Sequence, residues 1–215
     1  MSIPVPSGMS SVLDWHTCCK IIEGISFGLM YLHEGSNVPI IHLDLKPANI
    51  LLDENFVPKI TDFGLSRLCD EKTMQTKVAS GTLGYMAPEY LLRGVITPMA
   101  DIFGLGVIIM EEVQIWRNRL EKDPGYTSLE ADCQQIKTCI QIGLICVNSE
   151  RTKRPTVKKI IDMLQGLESM DWYIINECVR SEDKYAVPWT WFQQKDVGYA
   201  GLSRFVPFIE TATIR

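Results

Sequence analysis

The segment that follows Thr97-Pro98 is apolar on nearly every side. Ile102, Phe103, Leu105, Val107, Ile108, Ile109 and Met110 leave no polar stripe at the 3.6-residue period. Such a helix is buried all round at the centre of its domain. Thr97 offers an N-cap oxygen and Pro98 a first-turn residue, and the helix is expected to run to about Val113. A central helix demands a shell, so the rest of the chain must supply elements with one apolar face.

It does. Cys18, Ile21, Ile22, Ile25, Leu29 and Leu32 recur at three- and four-residue steps, predicting a helix over 15–34 capped by Asp14 and stopped by Gly35. Ile136, Cys139, Ile140, Leu144 and Val147 predict another over 129–147. A third, over 155–167, uses Val157, Ile160, Ile161, Leu164 and Leu167. Between the first helix and the central one the pattern breaks into short apolar pieces, Ile40-Ile41, Ile50-Leu51-Leu52 and 58–60, which read as small strands flanking a loop. Residues 62–84 are polar and rich in Ser, Thr and Gly, and read as one long loop, which in a compact domain is usually functional. The fold class expected is mainly α with small β.

Residues 1–13 are rich in Pro, Ser and Gly and read as an unanchored lead-in; the domain is expected over 14–168. Beyond Ser169 aromatic residues crowd a stretch of poor periodicity, 169–215, to which no fold is assigned. The 215 residues carry 21 Lys and Arg against 26 Asp and Glu, a net charge of −5, which disfavours bulk nucleic-acid binding. No apolar run approaches the roughly 20 residues a membrane span requires. The seven cysteines form no CxxC pair, and several sit at core-facing helical positions, so they read as reduced, buried thiols of a cytosolic chain.

Chemistry is concentrated in three stretches. The first runs His42-Leu-Asp44-Leu-Lys46-Pro-Ala-Asn49-Ile-Leu-Leu-Asp53, the second is Asp62-Phe63-Gly64, and the third runs Gly81-Thr82-Leu-Gly-Tyr85-Met-Ala87-Pro88-Glu89. Asp44, Asn49 and Asp62 bring hard oxygen atoms onto loops beside short strands, a donor set suited to Mg²⁺ with phosphate oxygens completing its shell. Lys46, two residues from Asp44, suits an anionic group approaching a hydroxyl. The constellation fits phosphoryl transfer, in which catalysis is mostly positioning and charge neutralisation.

The order H-x-D-x-K-x-x-N, D-F-G, A-P-E resembles the large, C-terminal lobe of a eukaryotic protein kinase, and in particular the plant receptor-like, Pelle-type Ser/Thr kinases. The resemblance implies that Asp44 accepts or orients the substrate hydroxyl and that Lys46 steadies the γ-phosphate of ATP. It implies that Asn49 and Asp62 hold Mg²⁺, and that Ile50, Leu51 and Leu52 floor the adenine pocket. Glu89 and Arg154 match the family's buried ion pair, and Asp101 the acid that anchors the catalytic-loop backbone. Lys46 and Thr82 resemble the Ser/Thr class. His42 reads as a packed structural residue, and the cluster Arg151, Lys153, Arg154, Lys158 and Lys159 as a solvated face.

Two departures shape the expectation. Position 43 is Leu where many kinases carry an Arg that pairs with a phosphorylated activation loop, so phosphate at Thr73, Thr76 or Ser80 is not expected to act through it. No G-x-G-x-x-G occurs, and ahead of Asp44 the sole lysine is Lys20 and the glutamates are Glu23 and Glu34. The small lobe is therefore expected to be absent. The stretch 113–127 is also short for the substrate-side helix of the family. The function expected is ATP- and Mg²⁺-dependent phosphorylation of protein Ser/Thr, impaired in this chain. The alternative is an inactive kinase-like lobe that binds a receptor-like kinase partner as decoy or scaffold. The location expected is the cytoplasm, or the cytoplasmic face of the plasma membrane through partners.

Overall fold

A computed structural model of the chain describes residues 14–35, 37–69, 73–120 and 129–168, the side chains of 117–120 and 129–133 excepted. All of these belong to the first of the two units, Met1–Met170 and Asp171–Arg215, into which the chain divides. The lead-in 1–13, the aromatic stretch 169–215, Cys133 and Cys178 lie outside the described residues and side chains.

Helix α1 spans Trp15–Glu34, and Asp14 caps it by accepting the Thr17 N–H at 2.7 Å. Every residue of the anticipated apolar face is buried, joined by Trp15, Ser26 and His33. Fully burying side chains such as Ile22, Ile25 and Leu29 contributes about 1.5–3 kcal/mol each. Gly35 ends the helix, but not through a left-handed backbone: its φ is −77° and its N–H returns to the Tyr31 carbonyl at 2.8 Å. A Cβ at this position would run into that same carbonyl, so space selects the glycine.

Three two-stranded antiparallel ladders follow. Strand β1 (Ile40–Ile41) pairs with β4 (Arg67–Leu68), β2 (Ile50–Leu52) with β3 (Pro58–Ile60), and β5 (Met74–Gln75) with β6 (Val95–Ile96). The three strands anticipated from apolar pieces are present. The segment 62–84 is not one featureless loop, because it holds a 3₁₀ turn (Phe63–Leu65), β4 and β5. Strands of two residues show no alternation, and only their distant partners define them. A short helix, α2 (Pro88–Arg93), was also not anticipated, being under two turns long. It ends at Gly94, whose φ of 65° is left-handed and where a Cβ would collide with the Thr76 carbonyl.

The central helix, α3, spans Pro98–Leu120, and Ile102, Leu105, Ile108 and Ile109 are inaccessible to solvent. It runs beyond the expected end at Val113 because no Gly or Pro interrupts 114–120. Trp116, within that extension, is buried and meets Trp15 edge-on, with ring centres 5.8 Å apart. Thr97 does not cap α3 with its side chain. Its hydroxyl is buried without a partner, and its carbonyl instead accepts the Ala100 N–H at 2.9 Å.

Helix α4 (Leu129–Cys146) lies against α3, with its core face rotated from the anticipated one. Cys139, Ile142, Gly143 and Cys146 are buried, while Ile136, Ile140, Leu144 and Val147 are half-buried. The cause is a close approach of glycines, since a Cβ on Gly106 would lie 2.6 Å from the Cys146 Cβ. Helix α5 (Val157–Leu164) packs on α1 and is shorter than the anticipated 155–167. Thr156 caps it, Gly166 turns the chain with a φ of 70°, and Leu167 is 75% exposed while Met163 takes its place in the core. Cys18, Cys69, Cys139 and Cys146 are buried and Cys19 is half-buried. Among the described residues no helix is long and apolar enough to cross a membrane.

Candidate active site

The loop 42–49 between β1 and β2 is built on a buried carboxylate. Asp101, in the first turn of α3, is 1% exposed. Its Oδ2 accepts the His42 N–H at 2.8 Å and lies 2.9 Å from His33 Nε2, and its Oδ1 accepts the Leu43 N–H at 2.8 Å. Leu43 has a φ of 68°, a left-handed conformation that costs a leucine roughly 1–2 kcal/mol. The bond to Asp101 and the burial of its side chain beside Ile41, Met86 and Tyr90 offset that strain. His42 is inaccessible, as expected of a structural residue. Its Nδ1 accepts the Asp44 N–H at 3.3 Å, so Nε2 carries the hydrogen donated to the Thr61 carbonyl at 2.9 Å.

This foundation lifts Asp44 to the rim of the loop, 7% exposed. Its Oδ2 accepts from Lys46 Nζ at 2.7 Å and from Asn49 Nδ2 at 3.2 Å. Its Oδ1 accepts from Thr82 twice, from the N–H at 2.9 Å and from Oγ1 at 2.7 Å. Lys46 Nζ also donates to Thr82 Oγ1 at 2.7 Å, and Asn49 Nδ2 to the Asp44 carbonyl at 2.9 Å. Burial pushes the Asp44 carboxyl up, but the hydrogen bonds from Lys46 and Thr82 and the lysine charge outweigh it, and its pKa lies below the ordinary value. Asp44 is thus ionised at neutral pH.

The three anticipated residues Asp44, Lys46 and Asn49 therefore form one hydrogen-bonded cluster. Asp62 is joined to it less directly. Both the N–H and the hydroxyl of its neighbour Thr61 donate to the Asn49 carbonyl, at 2.9 and 3.1 Å. Asp62 is exposed in a left-handed conformation, φ 63°, and accepts the Gly64 N–H at 3.4 Å. Asn49 spends its amide nitrogen on Asp44, which leaves its amide oxygen and the Asp62 carboxylate as hard donors. No cluster of three or more His, Cys, Asp or Glu suited to a metal occurs among the described residues. A divalent ion needing few protein ligands fits this donor set; one needing a protein cage does not. Leu51 projects outward, 51% exposed, while Ile50 beside it is inaccessible.

Away from the loop, Glu89 and Arg154 form a two-pronged pair at 2.7 and 2.8 Å, with side chains 2% and 0% exposed. Arg154 also donates to the carbonyls of Met99 and Asn148 and lies over the Phe103 ring. It is no part of a solvated basic face, unlike Lys153, Lys158 and Lys159, which are exposed. Sequence reasoning did not find His33 as a partner of Asp101 or Thr82 as a double donor to Asp44. A lone His on an apolar helical face gives no signal of its partner. Gly81-Thr82 was visible as a motif, but not the distance it closes.

The protein kinase domain family matches residues 8–183, and the chain belongs to that family. Among curated relatives, a G-type lectin S-receptor-like serine/threonine-protein kinase of Arabidopsis thaliana is 41% identical over 180 residues, covering 74% of this chain and 22% of the relative. Cysteine-rich receptor-like protein kinase 1 of the same plant is 41% identical over 182 residues, covering 74% of this chain and 29% of the relative. A probable LRR receptor-like serine/threonine-protein kinase is 36% identical over 185 residues, covering 74% and 19%. The chain thus spans under a third of the length of these relatives. The family is that of Ser/Thr protein kinases related to receptor-like kinases, which generally use ATP and Mg²⁺ and act on proteins.

Proposed function

We propose that residues 14–168 are the substrate-side, large-lobe part of a protein Ser/Thr kinase domain, acting in transfer of the ATP γ-phosphoryl group to a protein hydroxyl. The observation that carries this reading is the Asp44–Lys46–Thr82 cluster: an ionised carboxylate and an ammonium bonded to one hydroxyl. Asp44, its pKa lowered, is a weak base that orients the incoming hydroxyl and takes its proton late. Lys46 steadies the transferring phosphoryl group. Asn49 and Asp62 would hold Mg²⁺, which supplies charge neutralisation on the phosphates. Exposed Leu51 offers an apolar face to the adenine. Because Leu43 is buried and carries no cation, phosphate on Thr73, Thr76 or Ser80 does not act through position 43.

The 215 residues contain no G-x-G-x-x-G, and Lys20 is the sole lysine ahead of Asp44. By itself this chain is therefore expected to turn over poorly. The deciding assay is Mg²⁺-dependent transfer of labelled phosphate to a generic acceptor protein, by the chain alone and by a version carrying a receptor-like kinase small lobe. Transfer that rises in the two-lobed version and is lost on Asp44→Asn supports the reading; transfer indifferent to Asp44→Asn refutes it. A second reading, suggested by the receptor-like kinases among its relatives, is a lobe that binds a full receptor-like kinase at the cytoplasmic face of the plasma membrane. Failure of the chain to retain any such kinase in a pull-down would remove it.

A further inference from the structure

Tyr90 directly follows the third stretch of motif residues, yet the proposed chemistry gives it no task. It is 3% exposed, and its ring fills the cluster that also holds Ile41, Leu43 and Met86. Its hydroxyl accepts the N–H of Ser80 at 3.1 Å and donates to the carbonyl of Ser80 at 2.9 Å. One buried side chain therefore fixes both backbone groups of a residue that is itself exposed and has no burial to hold it. Two residues on, Thr82 gives Asp44 both its N–H and its hydroxyl. Gly81 between them has a φ of 154°, and a Cβ there would lie 3.1 Å from the Leu43 carbonyl, so the link is short and pressed against the Asp44 loop.

We propose that Tyr90 is a positioning residue: its hydroxyl sets the Ser80 backbone so that Thr82 delivers both donors to Asp44. The geometry stands on its own, and its consequence for catalysis rests on the phosphoryl-transfer reading. The attachment is neutral and needs no phosphate on the loop. Tyr90→Phe keeps the ring in its cluster and removes only two bonds to a backbone that water can reach, so the fold survives the change.

The test is amide NMR on the whole chain, which needs no turnover and so separates this proposal from the fate of the kinase reading. In Tyr90→Phe the Thr82 amide should exchange roughly tenfold or more faster and lose the downfield shift of a carboxylate-bound N–H. The Leu43 and His42 amides, bound to Asp101, should keep their exchange rates and shifts. An unchanged Thr82 amide overturns the proposal. So does equal loss of protection at Thr82 and Leu43, which would mean that Tyr90 holds the fold at large. As a second variant, Thr82→Val should leave the Ser80 amide protected; its loss would show that Asp44, not Tyr90, sets the loop.

Discussion

Asp101 and Asp44 are both carboxylates bound by several donors, and both serve the loop 42–49, yet they do different work. The donors to Asp101 include two backbone amides, deep in the molecule, and no substrate can replace them. Those to Asp44 are mostly side chains and a loop amide at the rim, which an incoming hydroxyl or phosphate can displace. One site spends its hydrogen bonds on shape, the other keeps them exchangeable. The difference is legible in who donates, not in how many bonds there are.

That contrast can be broken most directly at Asp101. Asp101→Ala strips an acceptor from two buried N–H groups and from His33, and should lower the unfolding free energy by about 3–5 kcal/mol in urea titration. A loss under about 1 kcal/mol would make the two carboxylates equivalent. Asp44→Asn, by contrast, should lower stability by about 1 kcal/mol or less in the same titration while removing phosphoryl transfer.

Acid sharpens the comparison further. The folded-state pKa of Asp44 is lowered, so its contribution is complete above the unfolded carboxylate pKa near about 4 and fades as pH falls through the folded value. The stability difference between the parent chain and Asp44→Asn should therefore hold at neutral pH and shrink as pH falls below about 5, through the unfolded value near about 4 and on through the lower folded value. A difference that grows over that range would contradict the direction of the shift. The smallest effect is expected at Asp62. Asp62→Asn should leave stability within about 0.5 kcal/mol, since the residue is exposed with one long bond, yet weaken Mg²⁺-dependent nucleotide binding by calorimetry.

How much of this was readable beforehand follows the same line. α1, β1, β2 and β3 were visible because apolar residues repeat at a helical period or stand in short runs between turns. The Asp44, Lys46 and Asn49 cluster was visible because its members lie within one loop and resemble a known motif. α2, β4 and β5 were not, because they are too short to carry a period and are defined by partners far along the chain. The shifted face of α4 escaped for another reason: Gly106 and Gly143 set the helix spacing, and a glycine has no hydropathy to count. The hydroxyl of Thr97 marks the limit of cap reasoning, since the motif was right and the side chain nonetheless stands unpaired.

Leu43 carries one more implication. Its backbone is left-handed and its side chain is seated among the apolar Ile41, Met86, Ala87 and Tyr90. An arginine entering with the same side-chain direction would bring a desolvated cation into an apolar setting, at a penalty of several kcal/mol. A phosphate on this loop would then gain no ready partner at position 43 from the exchange of that side chain alone. A cation at position 43 requires an outlet for its side chain first, away from the apolar cluster that Leu43 fills.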